Sequence, residues 1–432
     1  MNFWNDLIYF FSFADANINN VLLGTILLGF TCGIVGVLVV LNKKALIVDA
    51  VSHSILPGIC IGFMLSGVKD PVYLILGGII AGAISVFLVD WITSISRIKK
   101  DASIAIVLSF MFSIGVILLS VIQESGNSNQ SGLSDFLFGK AATIIESDLY
   151  VFGFLSLLVI TVIPIFYQHF KIALFDPNFA HTIGLKNRNI QILISALIII
   201  STAIGIQTVG IVLISALIIT PASSAFFWTN NFKKSILLSG LFAVISSVAG
   251  VFISYLSPLM PTGPWIIVVL STIAIFSSLF SEKGMITKKI KGRKNRKKMI
   301  SDNVLKYLYR IGEDDNTATK GRTFDEIKNF RSIEGKELSE GLKILTGKKW
   351  VIKAGALWML SEQGTKEAKR IIRIHRLWEL YMQKFMQIQS DHVHESAETI
   401  EHIITPELEK ELLKHLGKPA VDPHQQNIPY ED

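Results

Sequence analysis

Long hydrophobic stretches recur along the first 281 residues of the chain, and only short polar connections separate them. A helix needs roughly 20 apolar residues to cross a hydrocarbon core of about 30 Å. On that length the pattern predicts nine membrane-spanning helices. They cover approximately residues 20–41, 45–67, 71–93, 103–123, 148–167, 190–207, 210–228, 235–255 and 263–281. Gln207 and Gly210 interrupt the hydrophobicity least, so the sixth and seventh spans are the hardest to separate.

The basic residues in the connections predict the orientation of these spans, because Lys and Arg favour the cytoplasmic side. With the N-terminus outside, the cytoplasmic connections would hold Lys43, Lys44, Arg97, Lys99, Lys100, Lys171, Lys186, Arg188, Lys233 and Lys234. The external connections would hold only Lys69 and Lys140. An odd number of spans then leaves the C-terminus in the cytoplasm.

The pattern changes after about residue 285, where short amphipathic segments replace the long apolar ones. Helical spacing is found in three of them: Asn303–Ile311, Phe324–Arg331 and Gly335–Leu345. Strand-like residues from Trp350 to Leu360 are broken by Ala354-Gly355, which is typical of a hairpin. Three short helices and a hairpin indicate a winged helix-turn-helix domain. A long helix from about Thr365 to Gln387 and a further region from His394 to Leu416 follow.

Composition supports this division into two parts. Half of the 432 residues are hydrophobic, only 17% are charged, and the mean hydropathy is +0.50. A disordered chain is excluded and an ordinary soluble enzyme is disfavoured. Of the 41 Lys and Arg residues, 28 follow residue 287, although that part contains only 145 residues. The chain therefore combines an apolar part with a water-soluble one.

The sequence thus predicts an all-α polytopic membrane bundle of about nine transmembrane helices in residues 1–285, with a mainly α cytoplasmic part behind it. Residues 286–299 form a predicted basic juxtamembrane linker, in which eight of the eleven residues from Lys288 to Lys298 are basic. Such a run beside a membrane usually attracts anionic lipid; contact with nucleic acid is the alternative. Residues 300–364 form the predicted winged helix, and residues 365–432 form a second, helical domain.

The second span contains the candidate chemistry of the membrane part. Ionisable groups within a bilayer are costly and mark functional sites. Asp49 and His53 are four residues apart, which places a carboxylate and an imidazole on one helix face. Pro57 has no N–H, so the carbonyl of His53 loses its helical donor. These oxygen and nitrogen donors suit a divalent transition metal; the alternative is an interior histidine near a carboxylate at the cytoplasmic end.

The tail contains a second group of candidate ligands. His375 and Glu379 are spaced i, i+4, and Glu398, Glu401 and His402 are spaced i, i+3, i+4. Each set shares a helix face and would suit manganese, iron(II) or zinc, although an exposed, salt-bridged helix has similar spacing. No segment matches the Gly-x-x-x-x-Gly-Lys-Ser/Thr phosphate-binding loop. The chain itself is therefore not expected to be an enzyme, and any ATP hydrolysis would belong to a separate chain.

Four segments of the membrane part together carry a family resemblance: Asp49–Gly58, Phe136–Gly139, Phe175–Leu185 and Leu213–Ala222. In this order, over roughly residues 18–282, they resemble the membrane permease subunit of ABC importers for manganese, zinc and iron. The resemblance implies a homodimer, separate ABC ATPase subunits that bind ATP, and an extracytoplasmic metal-binding protein. It also implies that Asp49 and His53 belong to the metal path.

The same resemblance implies that the cytoplasmic segment from about residue 176 to 185 is a coupling helix that docks onto the ATPase. The residues assigned to this coupling are Asp176, Pro177, Ala180, Gly184 and Leu185. An ordinary amphipathic connection is the alternative for this segment.

The tail is similar to iron- or manganese-dependent repressors of the diphtheria-toxin-repressor type, on the segments 375–379, 393–402 and 416–424. The similarity spans about residues 300–432 and implies a winged helix followed by a metal-binding and dimerisation domain. Six residues match the family's metal ligands: His375, Glu379, His394, Glu398, Glu401 and His402. Glu398 stands where manganese-type members carry Glu, which favours manganese. Asn303 and Lys306 occupy the positions of further ligands, and a charged lysine cannot bind a metal.

We therefore expect the transmembrane subunit of an ATP-driven divalent metal importer, with a cytoplasmic metal-sensing domain, in a bacterial cytoplasmic (inner) membrane. Manganese is the favoured metal, with iron or zinc as alternatives. The main rival is a metal-dependent transcription regulator, tethered to the membrane or released by cleavage, whose tail binds DNA. A secondary transporter, which needs no ATPase, is a further alternative.

Overall fold

The computed structural model describes residues 3–124, 139, 144–256, 260–314, 320–330, 333–386 and 404–430. The chain divides into two compact units, Met1–Thr287 and Lys288–Asp432.

The described part of the first unit is helical. Its helices, in chain order, are α1 Phe3–Phe10, α2 Ala16–Leu41, α3 Ala45–Ser66, α4 Pro71–Ile95, α5 Lys100–Glu124, α6 Glu146–Ile165, α7 Tyr167–Phe175, α8 Pro177–Thr182, α9 Asn187–Val209, α10 Ile214–Trp228, α11 Phe232–Tyr255 and α12 Thr262–Phe280.

Each of the nine predicted spans coincides with one of these helices, so the predicted bundle is confirmed. Eight of the nine helices that coincide with predicted spans are long and apolar enough to cross a membrane. The exception is α10, which has 15 residues and is therefore about 22 Å long. Its separation from α9 falls at Gly210, where φ is +88° and the α9 ladder ends on the carbonyl of Ile206.

Close packing of small residues builds the core of this bundle. Helix α2 packs against α10 and α11, and α3 packs against α4 and α5. The Ser239 hydroxyl on α11 donates a hydrogen bond to the carbonyl of Gly33 on α2 at 2.5 Å. Gly58 on α3 and Gly77 on α4 face each other so closely that a Cβ on either would collide with the backbone of the other. Such contacts bring helix backbones together within a membrane bundle.

The second unit contains, in its described residues, five helices and a small sheet. The elements are α13 Met285–Asp314, β1 Arg322–Thr323, α14 Phe324–Phe330, α15 Gly335–Gly347, β2 Val351–Ala354, β3 Leu357–Leu360, α16 Glu362–Met386 and α17 Pro406–Leu416. The strands are antiparallel in the order β1-β3-β2. Ala354 pairs with Leu357 around a turn in which Gly355 has a φ of +64°.

These elements match the predicted winged helix, including its hairpin. The difference lies in the helix predicted over Asn303–Ile311, which begins at Met285, so that the basic stretch 286–299 is helical as part of α13. Its lysines and arginines are good helix formers, and the amphipathic continuation from Ile300 packs onto the domain core. Leu305, Ile327, Leu338 and Leu345 form the centre of that core.

Candidate metal sites and coupling segment

Asp49 and His53 lie one turn apart on α3, and both are half-buried. The helix continues through Pro57 without a break. Since proline has no N–H, the backbone carbonyl of His53 lacks its usual helical donor. A carboxylate, an imidazole and a backbone carbonyl therefore lie within two turns of one helix.

The pair lies on the least buried stripe of α3. Leu46, Ile61 and Leu65 are about half exposed or more and follow the same spacing of three and four residues. The other sides of α3 are packed, since Leu56 contacts Gly115 on α5 and Gly58 contacts α4. Within a single chain, Asp49 and His53 are therefore on the one face of α3 that its neighbours leave partly open.

Phe112 on α5 holds the His53 ring. The two rings meet edge to face, with centroids 5.1 Å apart and an interplanar angle of 90°. The Nδ1 atom of His53 is buried and has no hydrogen-bond partner among the described residues. Buried polar atoms are normally satisfied, so an unsatisfied ring nitrogen next to a carboxylate is a good candidate for a metal ligand.

The described residues of one chain supply too few donors for a complete metal site here. Structural metal sites normally use four protein ligands and catalytic ones at least three. Among the described residues, no group of three or more His, Cys, Asp or Glu side chains is assembled. Any metal at Asp49 and His53 would need further donors, which water or a second copy of the chain could provide.

A polar cluster lies before the start of α3 and was not identified from the sequence as more than an orientation signal. Lys44 donates from Nζ to the Ser195 hydroxyl at 3.0 Å and to the Gln191 carbonyl at 3.4 Å. The side-chain amides of Asn42 and Gln191 exchange two hydrogen bonds, at 2.7 and 3.1 Å. The pKa of Lys44 is lowered to about 8, chiefly by burial and also by the positive charge of Lys100, against the opposing effect of Asp90.

The predicted coupling segment folds as a short capped helix, α8. The Asp176 carboxylate accepts a hydrogen bond from the Phe179 N–H at 2.9 Å, and Pro177 occupies the first turn. At the other end Leu185 N–H donates to the Ala180 carbonyl at 3.0 Å, around Gly184 with a φ of +79°. The caps at both ends define this segment independently of its neighbours.

Helix α8 presents an apolar surface. Phe179 is 51% exposed and Ile183 is 48% exposed, whereas Ala180 is fully buried. The predicted residues Asp176, Pro177, Ala180, Gly184 and Leu185 therefore shape and anchor the segment, and the exposed apolar side chains between them were not predicted. Their i, i+4 spacing is a signal that could have identified this face.

In the tail, His375 and Glu379 form a buried pair on α16. His375 Nε2 lies 3.1 Å from Glu379 Oε1, and the side chains are 0% and 2% exposed. The helical spacing thus brings together the two ligand candidates that the sequence placed there. The other four, His394, Glu398, Glu401 and His402, lie outside the described residues.

The two positions that depart from the repressor pattern both lie on α13. Lys306 is fully buried, and its Nζ lies 5.9 Å from the centroid of the Tyr307 ring. Asn303 is half-buried. The resemblance to the repressors implies a metal ligand at the position of Lys306. The tail domain has a buried lysine there instead.

Arginine side chains of α16 join the tail elements, which no sequence pattern predicted. Arg376 is almost completely buried and contacts Glu313 of α13, Gln426 and the Asn427 carbonyl. Arg373 donates Nε and Nη2 to Glu409 Oε1 at 3.0 and 2.7 Å. Helix α16 therefore holds the ligand candidates His375 and Glu379 and also connects α13, α17 and the C-terminal segment.

These features define a multi-pass helical membrane protein with a winged-helix tail and a buried His–Glu pair behind it. The chain belongs to the ABC 3 transport family, which matches residues 14–281. Residues 361–430 match the iron dependent repressor, metal binding and dimerisation domain. The predicted combination of a permease and a repressor-like domain is thereby confirmed, and a transport role is favoured over that of a DNA-binding regulator.

Relatives with curated names agree with this. The manganese transport system membrane protein MntC of Bacillus subtilis (strain 168) is 32% identical over 370 residues, which cover 85% of this chain and 84% of that protein. The zinc transport system membrane protein TroC of Treponema pallidum (strain Nichols) is 34% identical over 275 residues, covering 63% of this chain and 92% of that protein. The solved structure of PsaBC from Streptococcus pneumoniae in complex with Fab has a TM-score of 0.60 at 28% identity, covering 66% of this chain and 99% of that chain.

Proposed function

We propose that this chain is the membrane subunit of an ATP-driven importer of a divalent metal, with manganese as the favoured substrate and iron or zinc as alternatives. Membership of the ABC 3 transport family and the names of the manganese and zinc relatives support the class of substrate. ATP is bound and hydrolysed by a separate ATPase subunit, which docks at α8. An extracytoplasmic metal-binding protein delivers the metal on the opposite side.

The observation that carries the proposal is the pairing of Asp49 with His53 on the partly open face of α3. The donors that the described residues of one chain bring together are too few for a complete coordination shell, and a homodimer would bring two such sets to a shared path. The ion would pass from one pair of donors to water or to further ligands as ATP binding and hydrolysis move the two subunits. The basic residues of the predicted cytoplasmic connections support an external N-terminus and a cytoplasmic tail.

The test is manganese uptake by cells whose only manganese importer contains this chain with its ATPase and binding protein. Asp49→Asn and His53→Ala are compared with Asp101→Asn, which makes the same charge change at an exposed position of α5. We expect each of the first two variants to lower the uptake rate at least tenfold and Asp101→Asn to leave it within twofold. Wild-type uptake by a chain with both Asp49→Asn and His53→Ala would contradict the proposal.

The tail, in this proposal, binds cytoplasmic metal through His375, Glu379 and the ligand candidates beyond α16, and reduces transport when metal is plentiful. The buried His375–Glu379 pair supports this, since a carboxylate and an imidazole side by side are suited to manganese, iron(II) or zinc. The match to a metal-binding and dimerisation domain supports it independently.

Metal binding is measured by titrating manganese into the full chain after treatment with a chelator. Glu379→Gln is expected to weaken the tail site at least tenfold, while Glu411→Gln, on the exposed side of α17, leaves it unchanged. Regulation is measured separately, as the inhibition of uptake by internal manganese. A chain truncated after Ser281 should lose that inhibition; retention of full inhibition would contradict the regulatory role without affecting the transport proposal.

A further inference from the structure

A cavity of about 450 Å³ lies within the second unit, between α13, the C-terminal end of α15 and α16. It has the size of small-molecule binding sites. Five cationic side chains line it, together with two carboxylates: Lys294, Lys297, Lys298, Lys348 and Arg370, with Asp302 and Glu367. Neither His375 nor Glu379, the two tail ligand candidates among the described residues, lines this cavity.

The cationic side chains converge from different parts of the chain. Lys294, Lys297, Lys298 and Ser301 are spaced by three, four and seven residues from the first, so they share one face of α13. Lys348 lies at the end of α15, some fifty residues after Lys298 in the sequence. The concentration of positive charge is therefore a product of the fold and not only of the basic run in the sequence.

Three of these lysines form no ion pair with any carboxylate that the structure describes. Arg370 is engaged by Glu409 at 3.1 Å and by Glu367 at 3.6 Å. In the described part of the chain, Lys294, Lys297 and Lys348 have no such carboxylate partner. Lys348 Nζ instead lies 4.3 Å from the centroid of the Trp350 ring, which also lines the cavity. Free ammonium groups beside an aromatic face are suited to an anion attached to a flat or apolar group.

The inner wall of the cavity is apolar. Ile371, Ile374 and Ile404 line it and are less than 10% exposed, and Ile344 and Trp350 are half-buried beside them. A simple inorganic anion would bind the lysines and leave this apolar wall in contact with water. A ligand with both a phosphate and an apolar portion would use both.

We propose that this cavity binds a phosphate-bearing ligand whose apolar part packs against Trp350 and the isoleucine wall. Two sources supply such chemistry: a soluble nucleotide, and the headgroup of an anionic phospholipid. Lys297 of α13 and Lys348 at the end of α15 both bind the phosphate. A bound ligand therefore links the basic end of α13 to the end of α15. None of Asp49, His53, His375 and Glu379 lines the cavity.

The test uses the full chain in phosphatidylcholine nanodiscs and the fluorescent reporter trinitrophenyl-ATP, which has an aromatic group and a triphosphate. Lys297→Glu with Lys348→Glu is compared with Lys288→Glu with Lys289→Glu, which changes the net charge equally on exposed positions of α13 outside the cavity. We expect the first pair to weaken reporter binding at least tenfold and the second less than twofold. Lys348→Gln, which removes one charge and retains most of the side chain, should give an intermediate loss.

Two arms distinguish the sources. Displacement of the reporter by ATP identifies a nucleotide site, whereas weakened reporter binding after a third of the lipid is replaced by phosphatidylglycerol, with no displacement by ATP, identifies a lipid headgroup site. The proposal is overturned if the reporter does not bind saturably, if both lysine pairs weaken it equally, or if only duplex DNA competes. Helical circular dichroism of each variant verifies that the tail remains folded.

Discussion

Arg376 of α16 forms a two-point ion pair with Glu313 of α13, with Nη1 3.2 Å from Oε1 and Nη2 2.9 Å from Oε2. Its Nε lies 3.5 Å from Asp422 Oδ2, and Nη2 also donates to Gln426 Oε1 at 2.9 Å. Arg376 is 1% exposed, whereas the Glu313 side chain is 35% exposed. Removing the Arg376 side chain should therefore lower the free energy of unfolding more than removing the charge of Glu313.

We predict that Arg376→Ala lowers the free energy of unfolding of the tail by about 3–5 kcal/mol, because it leaves the nearly buried Asp422 carboxylate without its cation. Glu313→Gln should cost about 1 kcal/mol or less, since solvent reaches that carboxylate and screens the pair. Hydrogen exchange measured by mass spectrometry on peptides of α16 and of residues 420–430 reports both values. Equal costs for the two variants would contradict this asymmetry.

The contact between Gly58 and Gly77 leads to a second prediction. An added Cβ at Gly58 would meet the carbonyl of Gly77, which is backbone and cannot rotate away. Gly58→Ala should therefore force α3 and α4 apart and destabilise the bundle by about 1–3 kcal/mol. Gly153→Ala on α6 is the matched control, because its added Cβ would meet no described heavy atom within 4 Å beyond its own stretch of helix backbone.

Thermal unfolding in detergent can be followed through the reactivity of Cys32 and Cys60, both buried and free in the folded chain. A thiol-reactive dye should label them at a lower temperature in Gly58→Ala and at an unchanged or higher temperature in Gly153→Ala, since alanine favours a helix. Equal melting of the two variants would show that α3 and α4 tolerate separation.

Lys44 provides a prediction about pH. Its pKa of about 8 in the folded chain lies below the ordinary value of 10.5, chiefly because burial disfavours the ammonium. Between these two pH values the unfolded chain binds more protons, so this group makes the folded state more stable as pH rises through that window. Below about pH 8 the full penalty for burying the charge applies.

Competitive acetylation of the native protein, read by mass spectrometry, should give a half-maximal reactivity for Lys44 near pH 8. Unfolding should move it towards 10.5. Lys100→Gln removes a neighbouring positive charge and should raise the pKa of Lys44, whereas Asp90→Asn should lower it. A native midpoint near 10.5 would contradict the burial of this ammonium.

The membrane spans could be predicted from sequence because their signal is local. The length of each continuous apolar segment is enough to identify the span. Even the weak boundary at Gly210 was placed within a few residues, since a glycine with a positive φ ends α9 there. The early start of α13, at Met285 instead of the predicted Asn303, was missed because the basic stretch has little apolar periodicity, and the packing onto the domain core begins only at Ile300.

The candidate sites were predictable only within single helices. The pairs Asp49–His53 and His375–Glu379 follow from a spacing of four on one helix. The role of Phe112 beside His53, and the ion pairs of Arg376 with Glu313 and of Arg373 with Glu409, join positions 36 to 63 residues apart. No periodicity encodes such partners, because tertiary packing brings them together.

Helix α10, about 22 Å long, is shorter than a hydrocarbon core of about 30 Å. It is enclosed by α2, α11 and α12, so this mismatch is absorbed by protein and not by the surrounding acyl chains. Outer helices such as α4 and α5, each 25 residues long, instead expose much of their apolar surface. A change in bilayer thickness would therefore tilt these outer helices first and reach α10 only through their packing.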